Sequence, residues 1–243
     1  VFSAITADLF QSLRRGICYG TPPHYFSKEA AMVSMIRPIH PVIPEIVQHQ
    51  DWLTIVELIC LIGFSILAAF CLGRFAAEKY EGNKSKTVWL FVGIAALVTV
   101  ALFCFFGFAA TTIKGIIFSL VLAFCSYSDI KTRECDDYPY LMIVIAAFIG
   151  TELSALPDMI LSGLAVGLMM FAAMFFMKAV VHGADLKLAA ACAFLLGFWN
   201  GITGLIAGLL VAVIVNLIKL KNKKDGFPLI PYLAIGFMMA YFI

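Results

Sequence analysis

The chain has 243 residues, 63% of them hydrophobic and only 13% charged, with a mean hydropathy of +0.99. Soluble domains carry about a quarter charged residues, so this balance excludes an ordinary soluble fold and points to a membrane protein of several helices. The net charge of +2 is too small to suggest a nucleic-acid partner. Residues 1–51 come first and stand apart, with Pro22, Pro23, Pro38, Pro41 and Pro44, three of the four histidines and no sustained apolar period. They read as an N-terminal extension of unclear status. Either they form an extramembrane segment, or Met32 or Met35 begins the protein, since the chain opens on Val. His24, His40 and His49 are too irregularly spaced to argue for a metal site.

Residues 52–243 read as the membrane domain. Its apolar runs cover residues 52–73, 88–110, 116–127, 138–150, 159–177, 188–199, 201–218 and 227–243. The expectation is therefore an all-α, polytopic fold with about eight transmembrane helices. Several runs fall short of the roughly 20 residues that cross a bilayer and reach it only with their polar flanks. The connections alternate in charge. Arg74, Lys79, Lys84 and Lys86 fill one, Lys131 and Arg133 the next, Lys178 and Lys187 a third, and Lys219, Lys221, Lys223 and Lys224 a fourth. The intervening connections are poor in positive charge. The positive-inside bias then puts the four basic loops in the cytoplasm of a multi-pass plasma-membrane protein. Gly163-x-x-x-Gly167, Gly197-x-x-x-Gly201 and Gly204-x-x-x-Gly208 present small residues at one-turn spacing. They are either close helix contacts or simply glycine-rich membrane sequence.

The seven cysteines are scattered and form no CxxC pair, so they read as small buried apolar residues, with no structural metal implied. No HExxH, GxSxG or Cys/His motif occurs. Two carboxylates carry the remaining chemistry. Asp129 follows the third run, and Asp185 sits between the fifth and sixth. The chain crosses out and back between them, so both end at one depth. Two aspartates sharing a proton can activate water. The ionised one takes a proton from it, and the protonated one polarises a peptide carbonyl. The bland alternative is a pair of solvated span-end residues, which is how Glu134, Asp136 and Asp137 read. Glu57 reads as a structural or interfacial group.

At these positions the chain resembles the type IV prepilin and preflagellin peptidases. Asp129-Ile-Lys-Thr-Arg-Glu-Cys-Asp-Asp137 resembles their first motif, and Gly183-Ala-Asp185-Leu-Lys187-Leu resembles their GxGDxKL motif. The resemblance covers residues 53–243. It implies a membrane aspartic endopeptidase that removes a short basic leader peptide from pilin-like precursors at the cytoplasmic membrane face. It makes Asp129 and Asp185 the catalytic pair and gives Gly183, Lys187 and Asp137 supporting or substrate-binding roles. No cofactor is implied. The implied partners are pilin-like precursors and the lipid bilayer, and self-association is compatible with the sequence. His182 and Ala184 occupy the motif's two glycine positions, and Cys135-Asp136 stands where many relatives carry Ile-Pro. The loop after the first run holds no cysteine, so the cysteine-bearing methyltransferase domain of many bacterial members is missing. A small cation- or proton-coupled transporter is the alternative, because paired aspartates near a membrane face can bind or relay cations.

Overall fold

A computed structural model describes residues 52–80, 82–133, 135–176, 183–219 and 228–243. The proposed extension over residues 1–51, together with Glu134, Lys178, His182 and the basic stretch 221–224, lies outside the described residues. The described chain is all-helical. Its helices are α1 (Trp52–Lys79), α2 (Lys84–Phe106), α3 (Ala110–Thr132), α4 (Tyr138–Ala147), α5 (Leu156–Phe176), α6 (Gly183–Leu196), α7 (Phe198–Lys219) and α8 (Ile230–Tyr241). One 3₁₀ turn, Leu153–Ala155, precedes α5.

The eight helices follow the eight apolar runs in order. Among the described residues, five segments are long and apolar enough to cross a membrane: Thr54–Lys79, Lys84–Phe106, Ala110–Thr132, Leu153–Phe175 and Phe198–Ile218. The other three are shorter. α4, α6 and α8 have 10, 14 and 12 residues, so they rise only ~15, ~21 and ~18 Å against a hydrocarbon core of ~30 Å.

Local sequence explains several boundaries. Asn83 caps α2, its side chain accepting from the Lys86 N–H at 3.4 Å. Pro139 and Pro231 stand in the first turns of α4 and α8, where a missing N–H costs nothing. The chain turns from α6 into α7 at Gly197, whose φ of +81° suits glycine. That end is closed by Asp158, which accepts from the Phe198 N–H at 3.1 Å.

α3 packs against α1, α2, α4 and α8, whereas α6 packs against α4, α5, α7 and α8. The two short helices α4 and α8 are thus the elements that touch both α3 and α6. α3 is the most enclosed of the membrane-length helices, because four other helices pack against it. One apolar cluster joins α1, α2 and α3 around Phe91, Leu102, Ile116 and Phe124. A second joins α3 through α8 around Phe118, Ile143, Leu188 and Phe237. At the far end of the bundle, Lys114 Nζ donates to Thr151 Oγ1 at 2.7 Å and Tyr241 Oη donates to the Thr111 carbonyl at 2.6 Å.

Small residues set the closest approaches. A Cβ on Gly236 of α8 would lie 2.2 Å from the Gly208 backbone nitrogen and 2.5 Å from the Gly204 carbonyl oxygen. The Gly204-x-x-x-Gly208 stripe is therefore a helix contact, in which backbones meet directly. Gly163 and Gly167 lie against Ala190 of α6, and Gly201 lies against Ser162 and Ala193.

Candidate active site

The candidate site lies at the end of the bundle where α1 and α3 finish and α2, α4, α6 and α8 begin. Contacts between these ends show that they meet. Lys79 at the end of α1 pairs with Asp136 in the α3–α4 turn. Lys187 in α6 pairs with Asp137 at 2.5 Å. The first N–H of α8, that of Ile230, donates to Asp129 Oδ2 at 3.1 Å. Arg74, Lys79, Lys84, Lys86, Lys131, Arg133 and Lys187 gather at this end, while Lys114 sits at the other.

Asp129 occupies the last turn of α3 and is 8% exposed, and Asp185 occupies the first turn of α6 and is 4% exposed. They are the two charged side chains that are buried among the described residues; the other buried polar side-chain groups are hydroxyls of serine and threonine and the hydroxyl of Tyr140. Burial of a carboxylate is costly unless partners compensate, so two such groups at one end need a reason. Part of the compensation is visible at Asp129. Its Oδ2 accepts a backbone N–H at the positive end of the α8 dipole, which favours negative charge there. Asp185 likewise sits in the first turn of its own helix, where a carboxylate is favoured.

The turn between α3 and α4 holds the first motif in place. Arg133 takes the left-handed conformation (φ 57°), and its N–H donates to the Asp129 carbonyl at 3.0 Å. A non-glycine residue there needs support from its surroundings. Asp136 supplies some, accepting from Lys79 and, at 3.2 Å, from the Tyr80 hydroxyl. The Lys79 hydrogen bond holds the Asp136 carboxyl below its ordinary range. The Cys135 thiol also lies below its ordinary value, chiefly because the Cys125 thiol hydrogen-bonds to it.

The supporting residues divide. Asp137 and Lys187 join the two motifs through one ion pair, exposed to solvent on both sides. A Cβ on Gly183 would meet open space, so packing does not explain glycine at that position. Glu57 lies near the start of α1, at the opposite end of the helix from Lys79. An open groove of about 630 Å³ runs between α4, α5 and α6 from the Asp137–Lys187 pair, past Tyr140 and Leu186, to Gly163 and Phe194.

The sequence model of the type IV leader peptidase family matches residues 116–218. Over that segment, less than half of the chain, the sequence is similar to the type IV leader peptidase family. No curated protein and no solved structure matches the chain. The leader peptidase segment runs from α3 to the end of α7, so it holds Asp129, Asp137, Gly183, Asp185 and Lys187. It leaves out α1, α2 and α8, yet all three reach the site. Tyr80, Ser128 and the Ile230 N–H were not singled out from the sequence. Pro231 marks the start of α8 and is the signal that would have drawn attention to Ile230. Tyr80 carried no comparable signal, because its partners lie 48 and 56 positions away.

Proposed function

We propose that the chain is a membrane aspartic endopeptidase that cuts the basic leader from pilin-like precursors at the cytoplasmic membrane face. The observation that carries this reading is the pair of buried carboxylates. Asp129 and Asp185 are the buried charged side chains among the described residues, at one end of the bundle and inside the leader peptidase segment. The basic residues gathered at the same end support the cytoplasmic side.

The chemistry follows from two carboxylates addressing one water. Such a pair holds a single proton between its members, because two adjacent charges in a low-dielectric site repel. The ionised carboxylate accepts a proton from water as that water's oxygen bonds to the scissile carbonyl carbon. The protonated carboxylate donates to the carbonyl oxygen. The product of this step is a tetrahedral diol. Proton transfer to the amide nitrogen then allows the C–N bond to break, which gives a carboxyl and an amine. The Ile230 N–H pins one oxygen of Asp129 and so restricts how the carboxylate can turn. The transporter alternative finds less support. Buried polar groups along the spans, such as Ser65, Thr99 and Ser162, are hydroxyls bonded to one another or to backbone carbonyls.

The test is cleavage of a pilin-type precursor by purified protein in detergent. Wild type is expected to cut, and Asp129→Asn and Asp185→Asn are each expected to be inert while keeping the wild-type melting temperature. Activity retained in either variant would sink the two-aspartate mechanism.

A further inference from the structure

The residue that follows α1 reaches across the bundle to both flanks of Asp129. Tyr80 Oη accepts a hydrogen bond from Ser128 Oγ at 2.8 Å and donates one to Asp136 Oδ2 at 3.2 Å. Ser128 is fully buried and immediately precedes Asp129 in α3. Asp136 lies beyond the left-handed turn at Arg133, on the other side of the same segment. A single hydroxyl thus ties together the two strands of chain that bracket the aspartate. Lys79, the preceding residue, holds the same Asp136 oxygen.

The ring that carries this hydroxyl is itself fixed. Tyr80 packs against Phe124 and Tyr127 of α3, with ring centroids 6.0 and 6.1 Å away. Tyr127 Oη and Thr87 Oγ1 lie 3.0 Å apart, which fastens α2 to the same stretch of α3. The turn between α1 and α2 passes so close that a Cβ on Gly82 would stand 2.2 Å from Tyr127 Oη. None of Tyr80, Gly82 and Thr87 belongs to the leader peptidase segment, which begins at residue 116.

Resting on the peptidase reading, we propose that Tyr80 is a positioning residue for Asp129. Its hydroxyl fixes Ser128 and Asp136, and through them the end of α3 from which the Asp129 carboxylate projects. The α1–α2 pair then serves the reaction as a brace, applied from outside the family segment. A reacting group displaced by about 1 Å loses on the order of a hundredfold in rate, so a brace of this kind acts on the chemical step rather than on substrate capture.

The experiment compares wild type, Tyr80→Phe, Ser128→Ala and the double variant in steady-state cleavage of a pilin-type precursor, with melting temperatures measured in the same detergent. Tyr80→Phe keeps the ring contacts and removes only the hydroxyl. The expected result is a fall in kcat of about tenfold or more at unchanged KM, with the melting temperature kept. The double variant is expected to be no slower than the slower single variant, because both substitutions break the same link. A Tyr80→Phe enzyme with wild-type kcat overturns the proposal. So does a change confined to KM, or effects that multiply in the double variant. Lost activity accompanied by a lowered melting temperature in Tyr80→Phe also overturns it, in favour of a merely structural role. A wild type that leaves the precursor uncut removes the peptidase reading, and the positioning role with it. A wild type that cuts beside an unimpaired Tyr80→Phe removes the positioning role alone.

Discussion

Asp136 and Asp137 are neighbours in the chain but are held from opposite sides. Asp136 is drawn to the end of α1 by Lys79 and Tyr80, and Asp137 is drawn to α6 by Lys187. In the sequence Asp136 reads as a solvated span-end residue and Asp137 as a supporting or substrate-binding one. Their ion pairs argue instead that they brace the turn, because each negative charge already faces a cation. Protonation tests this at Asp136. A carboxyl held below its ordinary pKa stabilises the fold above its unfolded value of 3.8, and that stability fades as pH falls through the folded pKa. The stability gap between wild type and Asp136→Asn, measured by chemical unfolding, is therefore expected to be full near neutral pH and to close in acid. A gap that widens in acid would contradict the assigned pairing. The Asp137–Lys187 pair is exposed, so Lys187→Met is expected to cost less than about 1 kcal/mol of stability. Its role is better read from function. Asp137→Lys and Lys187→Asp are each expected to slow cleavage, and the double exchange to restore part of it. At this scale the sequence disclosed the residues whose charge is anomalous in an apolar chain, Asp129 and Asp185 above all. It did not disclose Tyr80 or Ser128. A hydroxyl in membrane sequence is commonplace, and what distinguishes these two is a contact between distant parts of the chain.

Among the elements, the two shortest determine most about the site, since α4 and α8 are what α3 and α6 share. Apolar runs revealed the order of all eight helices. They marked the ends poorly, because hydropathy reports only the greasy part of a helix. α1 continues past residue 73 through Arg74–Phe75–Ala76–Ala77–Glu78–Lys79, where Arg74, Glu78 and Lys79 break the apolar run yet are good helix formers. The run 138–150 reads as a span, yet the helix stops at Ala147. The chain turns at Gly150 (φ +64°), where a Cβ would stand 2.5 Å from that of Ala110. The glycine stripes were ambiguous for a related reason, since spacing shows which residues share a face but not what covers it. For Gly204 and Gly208 the covering element is α8. Gly236→Ala must push α8 off α7, because the new methyl meets backbone rather than a movable side chain. An overpacked contact of this kind costs about 1–3 kcal/mol. The expected outcome is a lowered melting temperature together with slowed cleavage, because α8 also presents the Ile230 N–H to Asp129. Unchanged stability in Gly236→Ala would mean that the two helices do not approach as closely as described.

For the molecule as a whole, the decisive property is which way it faces. The leader peptidase segment carries both aspartates, while from outside it α1 and α2 pack on α3 and α8 packs on both α3 and α6, so the site draws on nearly the entire membrane domain. Everything converges on one end, and that end also collects the basic residues. A precursor whose leader is removed in the cytoplasm requires that end to face inward. Cys135 offers a native reporter. It is half-buried in the turn between α3 and α4, and its thiol, lowered by the hydrogen bond from Cys125, yields thiolate at a lower pH than an ordinary cysteine. Ser154, exposed in the 3₁₀ turn before α5, lies at the opposite end and can be replaced by Ser154→Cys as the counter-reporter. A membrane-impermeant maleimide, followed by peptide mapping, is expected to modify Cys135 in inverted vesicles and position 154 only in right-side-out ones. The reverse pattern would turn the basic end outward, against the positive-inside bias. It would leave the aspartate pair intact as chemistry but remove the cytoplasmic leader as its substrate.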